Sequence, residues 1–291
     1  SGEMVDLFPD RASGVAALIA CFERHAGGVP ISVYGGPAGW VATDACADRW
    51  AAIASANWLS MGDWAALHLP AGVVLDLGST TCDALCFHGG RARPSALGDA
   101  ARLTSRELVY TGIARTPLMA LAHQVNLGGR PTGVMAEWFA SSADVYRILG
   151  ELPDDADLHP SADGGPKTLE GSVRRLARMV GCDGPEWPLA TWRDVARQFR
   201  TVQLERIDEA LALALERLPP SPVSASVVVA GAGAFLARET CAHHPVQVQA
   251  FGRVGGLLPE PPVLPSSREL AERASCCAPA VAVGALATRL L

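Results

Sequence analysis

The stretch VVLDLGSTTCDALCF, Val73 to Phe87, gathers residue types that bind phosphate. An apolar strand delivers Asp76 to its end. Gly78, Ser79, Thr80 and Thr81 then form a tight turn of small residues, and the chain returns with Asp83. Glycine lets backbone N–H groups approach phosphate oxygens, hydroxyls add donors, and a carboxylate at a strand end can hold a Mg²⁺ that bridges those oxygens. Glycine alone would fit any polar hairpin; carboxylate, glycine and three consecutive hydroxyls together favour phosphate. Asp83 either faces the site or braces the hairpin. A second signal is VVVAGAGAFLARE, where an apolar strand meets Gly231-Ala232-Gly233 and a helix start. Such a turn lets Gly231 and Gly233 bring backbone close to a phosphate or nucleotide at a helix N-terminus. It lacks the further small residue and spaced acid of the dinucleotide fingerprint, so its weight comes from pairing with the hairpin.

Other chemistry-bearing residues fall between these two signals. Arg115, in TGIARTP, offers a planar fork for a carboxylate or diphosphate oxygen, or else is a solvated surface arginine. The polar run DLHPSADGGPK, Asp157 to Lys167, holds two carboxylates, a histidine and the only lysine of the chain. It reads either as a substrate loop, in which His159 or Asp163 acts as a base and Lys167 holds an anion, or as an exposed loop that caps the next helix through Asp163 or Thr168. Trp138 and Phe139 stack on a ring or belong to the core. His243 and His244 read as surface residues.

The elements that must position these groups alternate between strand and helix. Residues 11–26 and 57–69 have helical apolar spacing, with a short strand at 29–34 and a helix from Thr43 through Ile53 between them. Strands follow at 73–77 and 81–87. Residues 94–170 are irregular and punctuated by prolines, with a helix expected at 136–149; excursions of this kind usually build a site. Helices over 169–180 and 191–218, a buried strand at 225–230, a strand near 245–250, a proline-rich link at 259–265 and a helix from Ala278 complete an α/β pattern.

Composition narrows the function classes. The 291 residues are 49% hydrophobic and 19% charged, enough apolar surface for a packed core. The net charge of −6 argues against non-specific nucleic-acid binding, which needs clustered cations. The most apolar stretch, 276–291, is interrupted by Pro279, Gly284 and Arg289, which argues against membrane insertion. None of the eight cysteines forms a C-x-x-C pair, and Cys82 and Cys86 would lie about 13 Å apart along one strand, too far for one metal ion. They read as small buried hydrophobes, as in a reducing cytoplasm.

The hairpin and the G-A-G turn, about 150 residues apart, resemble the second phosphate loop and adenosine loop of the actin/sugar-kinase/Hsp70-type fold, in its hydantoinase/oxoprolinase branch. GEMVDLFPDRASGV, IASANWL, ELVYTGIARTPLMAL, MAEWFASSADVYRILGELP and DLHPSADGGPKT narrow the resemblance to the family linked to tetrahydromethanopterin-dependent one-carbon metabolism, whose archaeal members act in methanofuran biosynthesis. The resemblance implies a two-lobed fold, with residues 1–70 the remainder of a first lobe. Residues 71–291 would be the second lobe, carrying the phosphate hairpin (73–87), a substrate-binding insertion (94–170) and an adenosine-type loop (227–239). Family members open with a D-x-G-G strand and loop, so a first lobe that is N-terminally incomplete, and a fragment inactive as it stands, are expected. The implied activity joins an aminomethyl-furan diphosphate to the phenol of γ-glutamyltyramine with release of diphosphate, using Mg²⁺ at Asp76, in the cytoplasm, with a homo-oligomer compatible. The alternative is an ATP-dependent kinase or lactam hydrolase of the wider fold, and a third reading is a binding protein that has kept the fold without the chemistry.

Overall fold

The computed structural model describes residues 2–220, 224–257 and 267–290; the link at 259–265 lies outside them. Asp10 opens α1 (Arg11–His25) by accepting the Ser13 N–H, which satisfies one of the orphan donors of the first turn. The strand expected from Val29 is limited to β1 (Ser32–Tyr34), paired antiparallel with β2 (Trp40–Ala42) in a sheet of its own. Thr43 caps nothing: it lies within a 3-10 turn, and only one helical turn, α2 (Trp50–Ile53), follows.

The main sheet begins after α3 (Asn57–His68). β3 (Ala71–Leu77) and β4 (Cys82–His88) form the expected hairpin, followed by β5 (Arg91–Ala92), α4 (Asp99–Ser105) and β6 (Leu108–Val109). The excursion holds a small hairpin absent from the sequence reading, β7 (Gln124–Leu127) and β8 (Arg130–Gly133), then α5 (Ser142–Leu149). The helix expected from Ala136 starts only at Ser142. Ser141 and Asp144 form a capping box there, and the preceding backbone is engaged elsewhere: Leu118 N–H donates to Ala140 O and Ser142 N–H to Thr116 O. Next come α6 (Leu169–Arg178), α7 (Leu189–Glu216), β9 (Ser226–Ala230), α8 (Ala234–Cys241), β10 (Gln247–Ala250), α9 (Ser267–Cys276) and α10 (Ala278–Ala287).

Strand order is β10-β9-β3-β4-β5, with β6 also on β4. β10, β9 and β3 run parallel and the rest antiparallel. Strand alternation sends Val73, Leu75, Leu77, Cys82, Ala84 and Cys86 to the face packed by α7 and α8, and Val74, Leu85 and Phe87 to the face packed by α3 and α10. The chain is thus a mixed α/β protein with helices on both faces of its sheet. A third core joins α5, α6, α7 and the β7–β8 hairpin around Trp192 and Phe199. No single described helix is long and apolar enough to cross a membrane. The apolar α10 is bent by 96° from α9, and its Ala278 and Ala282 are buried on α3.

Candidate functional site

Parallel strands β3 and β9 end at the same edge of the sheet, where open α/β sheets bind ligands. The 78–81 turn and the G-A-G turn meet at that edge. Gly233 N–H donates to Leu77 O at 2.8 Å and Gly231 N–H to Ser275 O at 2.8 Å. Gly231 has φ +82°, and a Cβ there would stand 2.2 Å from Leu77 O and 2.5 Å from Asp76 Oδ1. Only glycine permits both that backbone and that approach.

The 78–81 turn is held by its carbonyls. Gly78 O accepts the Ile113 N–H at 3.1 Å, and Ser79 O accepts those of Ala114 and Arg115 at 3.1 and 2.8 Å. Gly78 N–H closes the turn on Thr81 O at 2.9 Å. Among the described residues the N–H groups of Ser79, Thr80 and Thr81 have no internal acceptor. The Ser79 and Thr80 hydroxyls meet only each other, at 3.4 Å. Three amides without an internal acceptor beside two hydroxyls are donors of the kind that hold an anion.

Asp76 lies directly across from Asp83 in the β3–β4 register, both on the face of Val74 and Leu85. Asp76 makes no hydrogen bond or ion pair among the described residues. Burial, and then the neighbouring Asp83, push its pKa up to about 8. Asp83 is buried and ion-paired with Arg102, which is 2% exposed and lies over the Trp58 ring, its guanidinium carbon 3.5 Å from the centroid. Burial raises the Asp83 pKa while Arg102 pulls it down. Of the two roles left open for Asp83, the geometry fits bracing.

Arg115 is exposed and its side chain has no partner among the described residues, while its backbone is tied to the turn. The 157–167 loop differs. Asp163 accepts hydrogen bonds from Gly165 N–H, Arg175 and Arg178 at 2.9, 3.1 and 3.2 Å, with Arg174 at 3.9 Å. Burial pushes the Asp163 carboxyl up, but the Gly165 amide and Arg175 outweigh it and hold the pKa below the ordinary value. Lys167 Nζ donates to Asp157 O at 2.7 Å, and Asp157 also pairs with Arg147 at 2.6 Å. Thr168 caps α6 through the Gly171 N–H at 3.1 Å. His159 is exposed and without a hydrogen bond. Trp138 is exposed and Phe139 packs on the third core. His244 Nε2 meets Asp208 at 2.8 Å. The structure thus brings together Asp76, Gly78 to Thr81, Arg115, Gly231 and Gly233, with Asp83 behind them. No bond links His159, Asp163 or Lys167 to that group.

Three residues that the sequence reading passed over position the turn. A Cβ on Gly112 would stand 2.3 Å from Thr80 N, so this glycine permits the 111–115 segment to lie against the turn. Gln203, buried in α7, donates to Thr111 Oγ1 and to Gly112 O, each at 2.8 Å. Arg102 holds Asp83. A glycine inside an extended segment and a glutamine on the apolar face of a helix are signals readable from sequence; nothing in sequence connects Arg102 to Asp83. An apolar hollow of about 450 Å³, lined by Leu18, Phe22, Tyr34 and Ile53, contains none of these residues.

Among the described residues no group of three His, Cys, Asp or Glu could enclose a metal ion. Mg²⁺ needs no such cage: it keeps several waters and takes one or two carboxylates plus phosphate oxygens. An unpaired Asp76 beside free amides fits that demand.

A Methanocaldococcus jannaschii protein named (4-{4-[2-(gamma-L-glutamylamino)ethyl]phenoxymethyl}furan-2-yl)methanamine synthase is 26% identical over 184 residues, 63% of this chain and 55% of that protein. A Methanococcus vannielii protein of the same name is 30% identical over 111 residues, 38% of this chain and 50% of that protein. The chain spans about half the length of these curated relatives. The family profile described as Hydantoinase/oxoprolinase matches residues 22–249, which include both glycine turns and everything between them. The chain therefore belongs to the hydantoinase/oxoprolinase family.

Proposed function

We propose that this protein is a transferase that joins an aminomethyl-furan diphosphate to the phenol oxygen of γ-glutamyltyramine and releases diphosphate, as in methanofuran-type cofactor biosynthesis. The observation that carries the reading is the row of three unengaged amides at Ser79, Thr80 and Thr81 next to the unpartnered Asp76. The relatives' names give the ether product, a glutamylaminoethyl-phenoxymethyl furan methanamine; the two substrates and the diphosphate leaving group belong to this proposal. The two-lobed arrangement, with residues 1–70 in a first lobe and the cleft between lobes, belongs to the same proposal.

The amides and hydroxyls of the turn hold the diphosphate, and the Arg115 fork reaches one of its oxygens. Asp76 would hold Mg²⁺, which neutralises charge on the departing diphosphate when bound. Because these donors are fixed before the reaction, they stabilise the leaving group with little reorganisation. The phenol oxygen forms a bond to the furanyl methylene as the C–O bond to diphosphate breaks, and the phenol proton passes to a base. His159 suits that role better than Asp163, whose arginine partners keep it ionised and weakly basic. The protein then acts on small molecules in the cytoplasm, with no nucleic-acid or membrane partner.

The test supplies both substrates and Mg²⁺ to the protein expressed from its whole reading frame, and follows ether product and pyrophosphate. Equal yields of the two support the transferase, and absence of both sinks it. ADP release from ATP that depends on a lactam or hydroxyl substrate would instead favour the ATP-using alternative.

A further inference from the structure

The chain has three tyrosines, and two are engaged in the structure. Tyr34 donates its hydroxyl to Asp63 at 2.5 Å and packs its ring edge-on to Trp40. Tyr146 donates to Gln203 and packs edge-on to Phe235. Among the described residues Tyr110 has neither a side-chain hydrogen bond nor a ring contact, and it is 67% exposed although Leu108, Thr111 and Ile113 around it are buried.

Its place is set by the sheet. Val109 is registered opposite Cys82, so Tyr110 follows β6 where Thr81 precedes β4. The Thr111 N–H donates to Val109 O at 2.8 Å, which puts Tyr110 at the apex of a tight three-residue turn. Two residues on, Gly112 lies against Thr80, and both Thr111 and Gly112 are held by Gln203. The Gly112 N–H is further fixed by Thr116 Oγ1 at 2.8 Å. An exposed tyrosine is therefore carried on backbone that is fixed beside the 78–81 turn, and its side chain has no partner among the described residues.

We infer that Tyr110 is the binding residue for the ring of the diphosphate substrate, its face stacking on the furan while the 78–81 turn holds the diphosphate. This rests on the proposed transferase reading and adds a specificity element to it. The ring attached to the diphosphate, rather than the incoming phenol, is the occupant, because only one methylene separates the furan from the phosphate group that the adjacent turn would hold. Stacking of this kind acts in ground state and transition state alike, so its loss raises KM with little change in kcat.

The test compares inorganic pyrophosphate with the aminomethyl-furan diphosphate, both with Mg²⁺, on the parent protein, Tyr110→Ala and Tyr110→Phe. The expected result is a furan diphosphate Kd about three- to tenfold weaker in Tyr110→Ala, pyrophosphate binding unchanged within about twofold, and near-parent values in Tyr110→Phe. Turnover should show a KM rise of the same size at near-constant kcat. An unaltered preference for the furan compound in Tyr110→Ala overturns the inference. So does equal weakening of both ligands, or a loss in Tyr110→Phe matching that in Tyr110→Ala. A parent protein that binds neither ligand overturns the phosphate site itself, and this inference with it.

Discussion

The turn at 78–81 and the loop at 157–167 have similar ingredients, glycines with acids and polar donors, yet they stand in opposite states. In the loop, Asp157, Asp163 and Lys167 all have partners of opposite charge, supplied by each other or by Arg147, Arg174, Arg175 and Arg178. In the turn the carbonyls are engaged by the 113–115 amides, while three N–H groups and the Asp76 carboxylate are left over. Polar composition marks both as candidate sites; the difference lies in whether neighbouring elements bring complementary groups. A polar cluster with all its partners stabilises the fold, and one with aligned leftovers can bind something else.

The sharpest way to break this contrast is to remove Arg175. It is fully buried and grips Asp144 through two nitrogens at 2.9 and 2.7 Å. Arg175→Met would remove the buried ion-pair partner of that carboxylate and leave it the Ser172 hydroxyl at 2.8 Å and Arg147 at 3.6 Å, so urea unfolding should show a loss of about 3 kcal/mol. Asp76→Asn should do the reverse, leaving the fold intact while product formation falls on the order of 100-fold or more. Asp163→Asn, by contrast, should lower turnover by less than about threefold.

The pH dependence of stability separates the regions next. The Asp76 pKa is raised in the folded protein from an ordinary 3.8 to about 8, so the folded state keeps this proton longer than the unfolded one. The stability associated with it is full below pH 4 and is lost as pH rises through about 8. Metal-free protein should therefore lose stability relative to Asp76→Asn across that window, by about 1.4 kcal/mol for each unit by which the Asp76 pKa is raised, with Mg²⁺ narrowing the gap. Asp163, held below its ordinary value, acts in the opposite sense: its contribution is present at neutral pH and fades as pH falls into the acid range. Thermal denaturation from acid to alkaline pH checks both signs.

Smaller effects finish the series. Arg115→Met should weaken pyrophosphate binding about tenfold, because a charge-assisted bond is lost, while stability moves by less than about 0.5 kcal/mol. Lys167→Met should cost roughly 0.5 kcal/mol and leave pyrophosphate affinity unchanged, since its partner Asp157 keeps Arg147. A strong loss of pyrophosphate affinity in Lys167→Met would erase the distinction between loop and turn.

Much of the fold was legible in the sequence because it depends on local pattern. The β3–β4 hairpin, β9, α7 and the G-A-G turn follow from apolar runs, helical spacing and glycine punctuation. What escaped depends on partners distant in sequence. The helix expected over 136–149 lost its first turn because the backbone at 140–142 bonds to 116–118. β7 and β8 are too short and too polar to announce themselves, yet Val125 and Leu127 are buried on the third core. In the site, Asp76 and the glycine turns were readable as a motif. Asp83 remained ambiguous because its role depends on Arg102, an ion pair formed across α4 and β4.

By itself the sequence determined which residue types could meet a phosphate, because hydroxyls, glycine and a strand-end carboxylate have that chemistry wherever they fold. It also determined the alternation within each strand, Asp76 with Val74 and Asp83 with Leu85, because strand period is a local property; the pairing register then put the two carboxyls on one face. Only the tertiary structure decided which of these groups stay available. Hydrogen bonds and ion pairs join residues tens to hundreds of positions apart, and each carbonyl or carboxylate so engaged is withdrawn from ligand binding. Among the described residues the 79–81 amides, the Asp76 carboxyl and the side chains of Arg115 and Tyr110 were left unengaged by that sorting, and they belong to segments at or beside one edge of the sheet.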